Sequence, residues 1–244
     1  MNKYFFLVCG RNCSKYIERC LSSIKKQTYQ NYEVLITDDC SGDDTSDIVT
    51  AFLDSNKEFG KKCSFTKNET RKYILENQVT SINLKTIKED DILIILDGDD
   101  CLTDENSLSV INQAYQNPMI LATYGNYKHE SNGKVRVNQA VAGEFSRKNP
   151  RLYISHIRTF KKSVFNKIDD ADLRDTDGNY FKVTADLAIS FPIIELCGKE
   201  RVGYIDDPIL IYNDMNPEGD GVINLREQLR VDHYLRSKPI YSKL

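Results

Sequence analysis

The 244-residue sequence contains no tryptophan, only three histidines and no Cys-x-x-Cys pair. The histidines, His129, His156 and His233, are far apart in the chain. Because a structural zinc site needs four clustered cysteine or histidine ligands, the sequence predicts no such site.

The sequence also lacks a long apolar run. No stretch approaches the roughly 20 apolar residues of a membrane-spanning helix, and the apolar run at residues 4–9 is too short for the core of a signal peptide. The seven cysteines are odd in number, scattered and mostly beside apolar residues, a pattern typical of reduced thiols. We therefore expect a soluble, cytoplasmic protein without a membrane span.

Neither sign of charge is in large excess. Lys and Arg number 33 against 36 Asp and Glu, which gives a formal net charge of −3. A protein without a strong positive field is not expected to bind nucleic acid. The length suits one large α/β domain or two small ones, and the composition does not specify an oligomeric state.

What the sequence does contain is an aliphatic run that ends in acids: residues 92–96 are Ile-Leu-Ile-Ile-Leu, followed by Asp97, Gly98, Asp99 and Asp100. Such a run predicts a strand buried on both faces of a parallel sheet, and ligands of these sheets bind where the strands end. Two carboxylates 4 Å apart repel by about 4 kcal/mol at an effective dielectric constant of 20. Mg²⁺ or Mn²⁺, which prefer oxygen ligands, would relieve this repulsion. The alternative is a solvated turn without a metal.

Strand and helix patterns alternate over the first 120 residues. Strands are expected at residues 4–9, 32–37, 62–67 and 92–96, with amphipathic helices between them. This alternation predicts right-handed βαβ crossovers and a mostly parallel sheet. A second acidic turn, residues 38–44, follows the second strand and is expected at the same edge of the sheet.

The second half of the chain has a different pattern. Asn132-Gly133, between two expected strands, predicts a β-hairpin with a two-residue turn. Pro192 is expected to kink or interrupt the helix that contains it. No linker divides the chain, so we expect a single domain. The expected elements are strands at 121–129, 135–140 and 202–212, a helix from Ala185 and a final helix at 222–236.

Two segments resemble the family-2 glycosyltransferases of GT-A fold. Residues 27–41, QTYQNYEVLITDDCS, are similar to that family's QTYxNxE…VDDGS segment, and residues 97–100, DGDD, are similar to its DxD metal motif. Asn12 falls where the family has an asparagine in its first loop. The resemblance covers residues 4–125 well and the later residues more loosely.

This resemblance implies an α/β fold of GT-A type, with a Rossmann-like, mostly parallel central sheet flanked by helices and a smaller appended half. One domain over residues 1–244 would comprise a nucleotide-sugar-binding half, 1–125, and an acceptor-side half, 126–244. Cys40 and Gly42 depart from the family's usual Gly and Thr. The Gln-x-x-Arg-Trp signature of processive members is missing, because the chain has no tryptophan, so a polysaccharide synthase is not expected.

The resemblance also implies a site for Mn²⁺ or Mg²⁺. Asp99 would be a direct ligand, and Asp97 would bind the metal, the ribose or a metal-bound water. Asp100 would support either role or be an ordinary exposed acid. A cation there would stabilise the charge of a departing diphosphate. The candidates for a third ligand are His156, Asn213, Asp214 and His233.

For the nucleotide, the resemblance implies that Asp38 or Asp39 accepts the uracil N3–H, while the other acid caps the following helix. Arg11 and Arg71 would reach ribose or phosphate, or else be solvated surface residues. Asn12 is assigned to the same donor-binding site.

A general base for the acceptor hydroxyl is implied at the start of a helix in the second half. Asp186, within the sequence TADLA at 184–188, fits that position, with helix capping alone as the alternative. Residues 155–160 and 212–217 resemble family elements on the acceptor side and in a terminal active-site loop. The rival acids are Asp172, Asp175 and Asp177.

The expected function is therefore metal-dependent, inverting transfer of a sugar, with glucose as one candidate, from a UDP-sugar to a hydroxyl of a glycan or protein acceptor. A sugar-nucleotide pyrophosphorylase is the nearest rival enzyme, but residues 9–13, CGRNC, lack its glycine-rich phosphate loop. The rival outside enzymology is a non-catalytic nucleotide-sugar or partner-binding module that kept the fold. Turnover of a UDP-sugar would distinguish the transferase from the non-catalytic module.

Overall fold

The structure is a computed structural model that describes residues 1–138, 145–149, 158–218 and 224–244. Its strands are β1 (Tyr4–Gly10), β2 (Tyr32–Asp38), β3 (Cys63–Lys67), β4 (Ile92–Asp97), β5 (Cys101–Leu102), β6 (Ala122–Gly125), β7 (Tyr127–His129), β8 (Val135–Arg136), β9 (Arg158–Lys161), β10 (Val202–Ile205) and β11 (Leu210–Tyr212). Its α-helices are α1 (Ile17–Lys25), α2 (Thr45–Ser55), α3 (Lys57–Gly60), α4 (Tyr73–Ile82), α5 (Ser107–Ala114), α6 (Lys162–Phe165), α7 (Ala185–Cys197) and α8 (Leu225–Ser237). Within these ranges no helix has the length and apolar character needed to cross a lipid bilayer.

The main sheet has seven strands in the order β10-β6-β9-β4-β1-β2-β3. β1 pairs in parallel with both β2 and β4, and β2 pairs in parallel with β3. β9 lies antiparallel between β4 and β6. The predicted mostly parallel sheet with flanking helices is therefore confirmed, and β4 lies at its centre.

Both faces of β4 are buried, which explains why its sequence is a continuous aliphatic run rather than an alternating one. Leu93 and Ile95 belong to a core that also contains buried side chains of α4 and α7. Ile92, Ile94 and Leu96 belong to a second core with buried side chains of α1, α2 and α5. We call the side of the sheet that carries the first core the α4/α7 face.

Two long strands expected in the second half are each divided between two sheets. Residues 121–129 form β6 and β7, and residues 202–212 form β10 and β11; β7 and β11 belong to a four-stranded sheet in the order β5-β11-β7-β8. The two crossings are joined, because the side-chain amide of Asn126 donates to the carbonyl of Asp206 (2.7 Å). Pro208 in the second crossing has no N–H to donate to a ladder. The prediction of two single strands was wrong, since hydrophobicity alone does not reveal where a strand changes sheet.

The predicted hairpin is confirmed, because β7 and β8 pair antiparallel and Gly133 adopts a φ of +66° in the connecting loop. The two-residue turn was wrong, since residues 130–134 separate the two strands. Pro192 does not interrupt α7, which is one helix of 13 residues. Nearly every side chain of α7 is buried. Packing of these side chains therefore stabilises the helix by more than it loses through the hydrogen bond that proline removes. The last helix begins at Leu225; residues 139–140 and 222–223 of the expected elements lie outside the described ranges.

Gly125 lies where β6 and β10 pair, and a Cβ atom added there would be 2.6 Å from the carbonyl oxygen of Ile205. Because that contact is with backbone, Gly125→Ala should lower the free energy of unfolding by about 1–3 kcal/mol. Gly42→Ala is the matched control, since a Cβ at Gly42 meets nothing within 4 Å. Urea unfolding of both variants measures the difference, and equal stabilities would contradict this description of the sheet edge.

Candidate active site

A cavity of about 470 Å³ opens where the carboxyl ends of β1, β2 and β4 meet. Such crevices at the ends of parallel strands are the usual ligand sites of open α/β sheets. The cavity brings together most of the site residues predicted from the sequence. Those that line it are Arg11, Asp39, Arg71, Asp97, Asp99 and Asp186.

The turn after β4 presents two of its three acids to the cavity. Gly98 allows the turn to pass close to the end of β1, where its N–H donates to the carbonyl of Cys9 (2.9 Å) and an added Cβ would be 3.3 Å from that oxygen. Asp97 and Asp99 line the cavity. Asp99 also accepts a hydrogen bond from the side-chain amide of Asn216 (2.7 Å), which holds the loop after β11 against the turn.

Asp100 is buried rather than exposed, at 1% relative accessibility, so its interpretation as an ordinary exposed acid was wrong. Its carboxyl accepts a hydrogen bond from the backbone N–H of Asn213 (2.8 Å). Burial, together with the charges of Asp99 and Asp97, raises the pKa of Asp100 well above its ordinary value. Asp100 therefore secures the same loop from inside the protein and is not part of the cavity wall.

The acids after β2 divide their roles. Asp38 faces α2, where it accepts hydrogen bonds from the backbone N–H of Ser41 (3.0 Å) and from the hydroxyl of Ser46. Asp39 lines the cavity and accepts hydrogen bonds from the backbone N–H groups of Lys72 and Tyr73, both at 2.8 Å. The sequence left open which of the two acids contacts the following helix and which contacts a ligand. Asp38 is the acid that binds groups at α2, and Asp39 is the acid that is available to a ligand in the cavity.

Two opposing effects act on Asp39. Burial by itself raises the pKa of its carboxyl, but the hydrogen bonds from Lys72, Asn77, Asn68 and Tyr73 outweigh burial and lower the pKa below the ordinary value. The group is therefore ionised at neutral pH and is a hydrogen-bond acceptor only.

Arg11 and Arg71 both line the cavity, and the guanidinium of Arg71 lies 4.3 Å from the centre of the Tyr73 ring. Asn12 does not line it. Asn12 instead accepts a hydrogen bond from the Gly42 N–H (3.0 Å) and donates to the carboxylate of Glu218 (2.7 Å). Asn12 thus joins the first loop to the second acidic turn and to the loop that carries Glu218.

Asp186 is the second residue of α7 and lines the same cavity as the turn after β4. The helix dipole favours a carboxylate in the first turn. The guanidinium of Arg158, on β9, is close to an acid of each of two elements, 3.8 Å from the Asp186 carboxylate at the start of α7 and 4.0 Å from that of Asp97 in the turn after β4. We call these two elements the acidic walls of the cavity. The resemblance to the family predicts that residues 155–160 lie on the acceptor side, but it assigns no role to Arg158. Lys161 and Lys162 follow within four residues, so no local signal distinguished Arg158.

The rival acids do not line the cavity. Asp172 pairs with Arg147 (3.4 Å) and Lys238 (3.3 Å). Asp175 accepts the backbone N–H of Asp177 in an exposed turn.

The candidates for a third metal ligand are not brought together either. Asn213, Asp214 and His233 are absent from the cavity wall, and His156 lies outside the described residues. Asn216 and Glu218, which the sequence did not identify individually, do line it.

The residues present fit a divalent cation that shares its ligands with substrate. In the described part of the chain, no group of three or more His, Cys, Asp or Glu side chains forms a ready metal cage. Mg²⁺ and similar hard cations are commonly held by one or two carboxylates together with phosphate oxygens and water. Asp97 and Asp99 supply two such carboxylates on one wall.

Residues 6–174 match the sequence profile described as "Glycosyl transferase family 2". The chain belongs to that family. The prediction made from residues 27–41 and 97–100 is therefore confirmed at the level of the family.

Among relatives, "Glycosyltransferase GlyG" of Streptococcus pneumoniae is 24% identical over 181 residues, covering 64% of this chain and 56% of the relative. This chain thus spans little more than half the length of that protein.

Solved structures with the same fold include TarS 1-349 of S. aureus in complex with UDP-GlcNAc, with a TM-score of 0.67 and 19% identity over 96% of this chain and 66% of that one. The mannosyltransferase PcManGT of Pyrobaculum calidifontis, in complex with GDP-Man and Mn²⁺, has a TM-score of 0.65 and 14% identity over 98% of this chain and 66% of that one. At these identities the likeness shows the GT-A fold alone.

The depressed pKa of Asp39 predicts how its contribution to stability depends on pH. A carboxyl whose pKa is lowered on folding stabilises the protein above its unfolded pKa, and this stabilisation is lost as the pH falls through the folded value. The difference in free energy of unfolding between wild type and Asp39→Asn should be constant from about pH 7 to 5 and shrink below about pH 4. Urea titrations at several pH values measure it. A difference that widens on acidification would contradict the assignment.

Proposed function

We propose that this chain transfers a sugar from a UDP-sugar to an acceptor hydroxyl, with inversion at the anomeric carbon and with Mn²⁺ or Mg²⁺ as cofactor. The observation that carries the proposal is the cavity itself. It contains two carboxylates for a metal, Asp97 and Asp99, from the turn after β4 and a separate carboxylate, Asp186, from the start of α7. Membership of the family supports glycosyl transfer as the reaction.

For the donor, Asp39 is proposed to accept the N3–H of uracil, for which an ionised carboxylate is well suited. Arg11 and Arg71 are proposed to contact the ribose or the diphosphate, where guanidinium groups bind oxyanions well. UDP-GlcNAc and UDP-glucose are the first donors to test. GDP-mannose is the informative comparison, because one solved relative of this fold was obtained with it.

For the reaction, Asp186 is proposed to take the proton of the acceptor hydroxyl as its oxygen attacks the anomeric carbon. A new carbon–oxygen bond then forms as the bond from that carbon to the diphosphate breaks. When bound at Asp97 and Asp99, the cation neutralises charge that develops on the leaving diphosphate. The acceptor is proposed to be a glycan or a protein side chain. All seven cysteines are free thiols, which supports a reducing compartment such as the cytoplasm.

The direct test is a release assay across donor sugars. Purified protein with Mn²⁺ should release UDP slowly from at least one UDP-sugar by hydrolysis, and chelation with EDTA should abolish the release. Asp99→Asn should bind UDP in the absence of metal and lose the increase that Mn²⁺ provides. Binding of UDP without release from any donor would favour a non-catalytic module instead.

Asp186→Asn tests the base. The variant should keep UDP and Mn²⁺ binding, because Asp186 belongs to α7 and is not one of the two proposed metal ligands. Its kcat for transfer should fall about 10²–10⁴-fold, the usual range for loss of a general base. Asp175→Asn, in an exposed turn outside the cavity, is the control and should keep full activity. Unchanged transfer by Asp186→Asn would assign the base to another residue.

A further inference from the structure

Arg158 is a buried cation that lies close to both acidic walls of the cavity. Arg158 begins β9 and pairs with Ile95 of β4. Residues paired across antiparallel strands project from the same face of a sheet, so both side chains lie on the α4/α7 face. Asp97, two residues after Ile95, shares that face. Because α7 packs there too, the fold itself brings Arg158, Asp97 and Asp186 together.

The hydrogen bonding of Arg158 is incomplete. Its residue accessibility is only 5%, yet its Nε and Nη1 groups have no hydrogen-bond partner among the described residues. The carboxylates of Asp186 and Asp97, at 3.8 and 4.0 Å, are close enough to balance its charge but lie beyond hydrogen-bond distance. A buried guanidinium needs such counter-charges, because an isolated buried ion is strongly unfavourable.

Arg147, another buried cation, shows what a structural ion pair looks like in this protein. Its Nε lies 3.0 Å from both carboxylate oxygens of Glu195, and its Nη2 lies 2.9 Å from one of them. Arg147 therefore makes direct hydrogen bonds to its counter-ion through Nε, although Nη2 makes none of good geometry, and the pair lies outside the cavity. Arg158 differs on both counts, since it lines the cavity and divides its charge between two acids to which the proposed reaction gives different roles.

We propose that Arg158 is a positioning residue that links the two acidic walls: it balances the charge of Asp97 and holds Asp186 toward the acceptor side of the cavity. This inference rests on the proposed function and adds a residue to it. The two halves of the proposal predict effects of opposite sign. Loss of the cation should strengthen metal binding at Asp97 and Asp99, because a competing positive charge is removed, while loss of the guanidinium should weaken catalysis by Asp186.

Arg158→Gln separates these effects. In the absence of donor, its Mn²⁺ dissociation constant, measured by calorimetry, should fall about tenfold, the effect of one unit charge on a divalent ion at roughly 6 Å in a water-like dielectric. Its kcat should fall about 10²-fold, the cost of a misplaced catalytic group. Arg201→Gln removes the same charge beyond the opposite end of α7 and should change neither quantity. Weaker Mn²⁺ binding by Arg158→Gln would overturn the charge-balancing half.

A double-mutant cycle tests the link to the base. Because Arg158 is proposed to act on kcat through Asp186, adding Arg158→Gln to Asp186→Asn should cause no further loss, whereas independent effects would multiply. Multiplying effects would overturn the positioning role. Arg158→Lys replaces Gln in both experiments if the Gln variant does not fold. Lysine keeps the charge but not the planar fork, so its Mn²⁺ affinity should stay near wild type while its kcat falls.

These experiments distinguish failure of the role proposed for Arg158 from failure of the proposed function. If wild-type protein releases UDP from no donor, the proposed function fails, but the Mn²⁺ titrations of the Arg158 variants still report on charge balance. If wild type is active and the cycle is multiplicative, only the role of Arg158 is overturned.

Discussion

The balance of negative charge at the carboxyl edge of the main sheet is the constraint on which the rest of the structure depends. Asp39, Asp97, Asp99 and Asp186 all line one cavity, and like charges that share a cavity repel one another more strongly than in bulk water. The protein meets this constraint locally. Backbone N–H groups at the start of α4 bind Asp39, the Asn216 amide binds Asp99, and the Arg158 guanidinium faces the remaining two.

This constraint also gives a physical reason for the one antiparallel strand in the centre of the sheet. A parallel strand reaches the carboxyl edge with its own C-terminal end, whereas β9 runs the other way and begins there, with Arg158 as its first residue. The antiparallel insertion thus delivers a buried cation close to Asp97 and Asp186, in addition to Arg11, Arg71 and Lys182, which also line the cavity. The loop that follows β11 of the four-stranded sheet contributes Asn216 and Glu218, which also line the cavity.

The sequence predicted those parts of the site that local patterns encode. The aliphatic run before Asp97 identified a buried central strand, because burial on both faces removes polar alternation. Two acidic turns after parallel strands were expected at one edge, and Asp39, Asp97 and Asp99 do line one cavity. Adjacent side chains on a strand point to opposite faces, so Asp38 and Asp39 were bound to differ. The structure was needed to show which of the two acids faces the cavity.

Other features depended on pairings between distant segments. The division of residues 121–129 between two sheets is stabilised by a contact from Asn126 to Asp206, 80 residues away, and no local pattern encodes it. The position of Arg158 opposite Ile95 follows from strand order and register, which hydrophobic periodicity does not specify. Asp100 showed the same limitation, because its burial depends on the loop that contains Asn213.

The central claim is that the acidic turn after β4 and the diphosphate of the donor share one cation. Calorimetric titration of Mn²⁺ into the protein, with and without saturating UDP, tests it most directly. Because coupling between two ligands is reciprocal, UDP should increase the affinity for Mn²⁺ by the same factor by which Mn²⁺ increases the affinity for UDP. Binding of Mn²⁺ that UDP leaves unchanged would contradict the account.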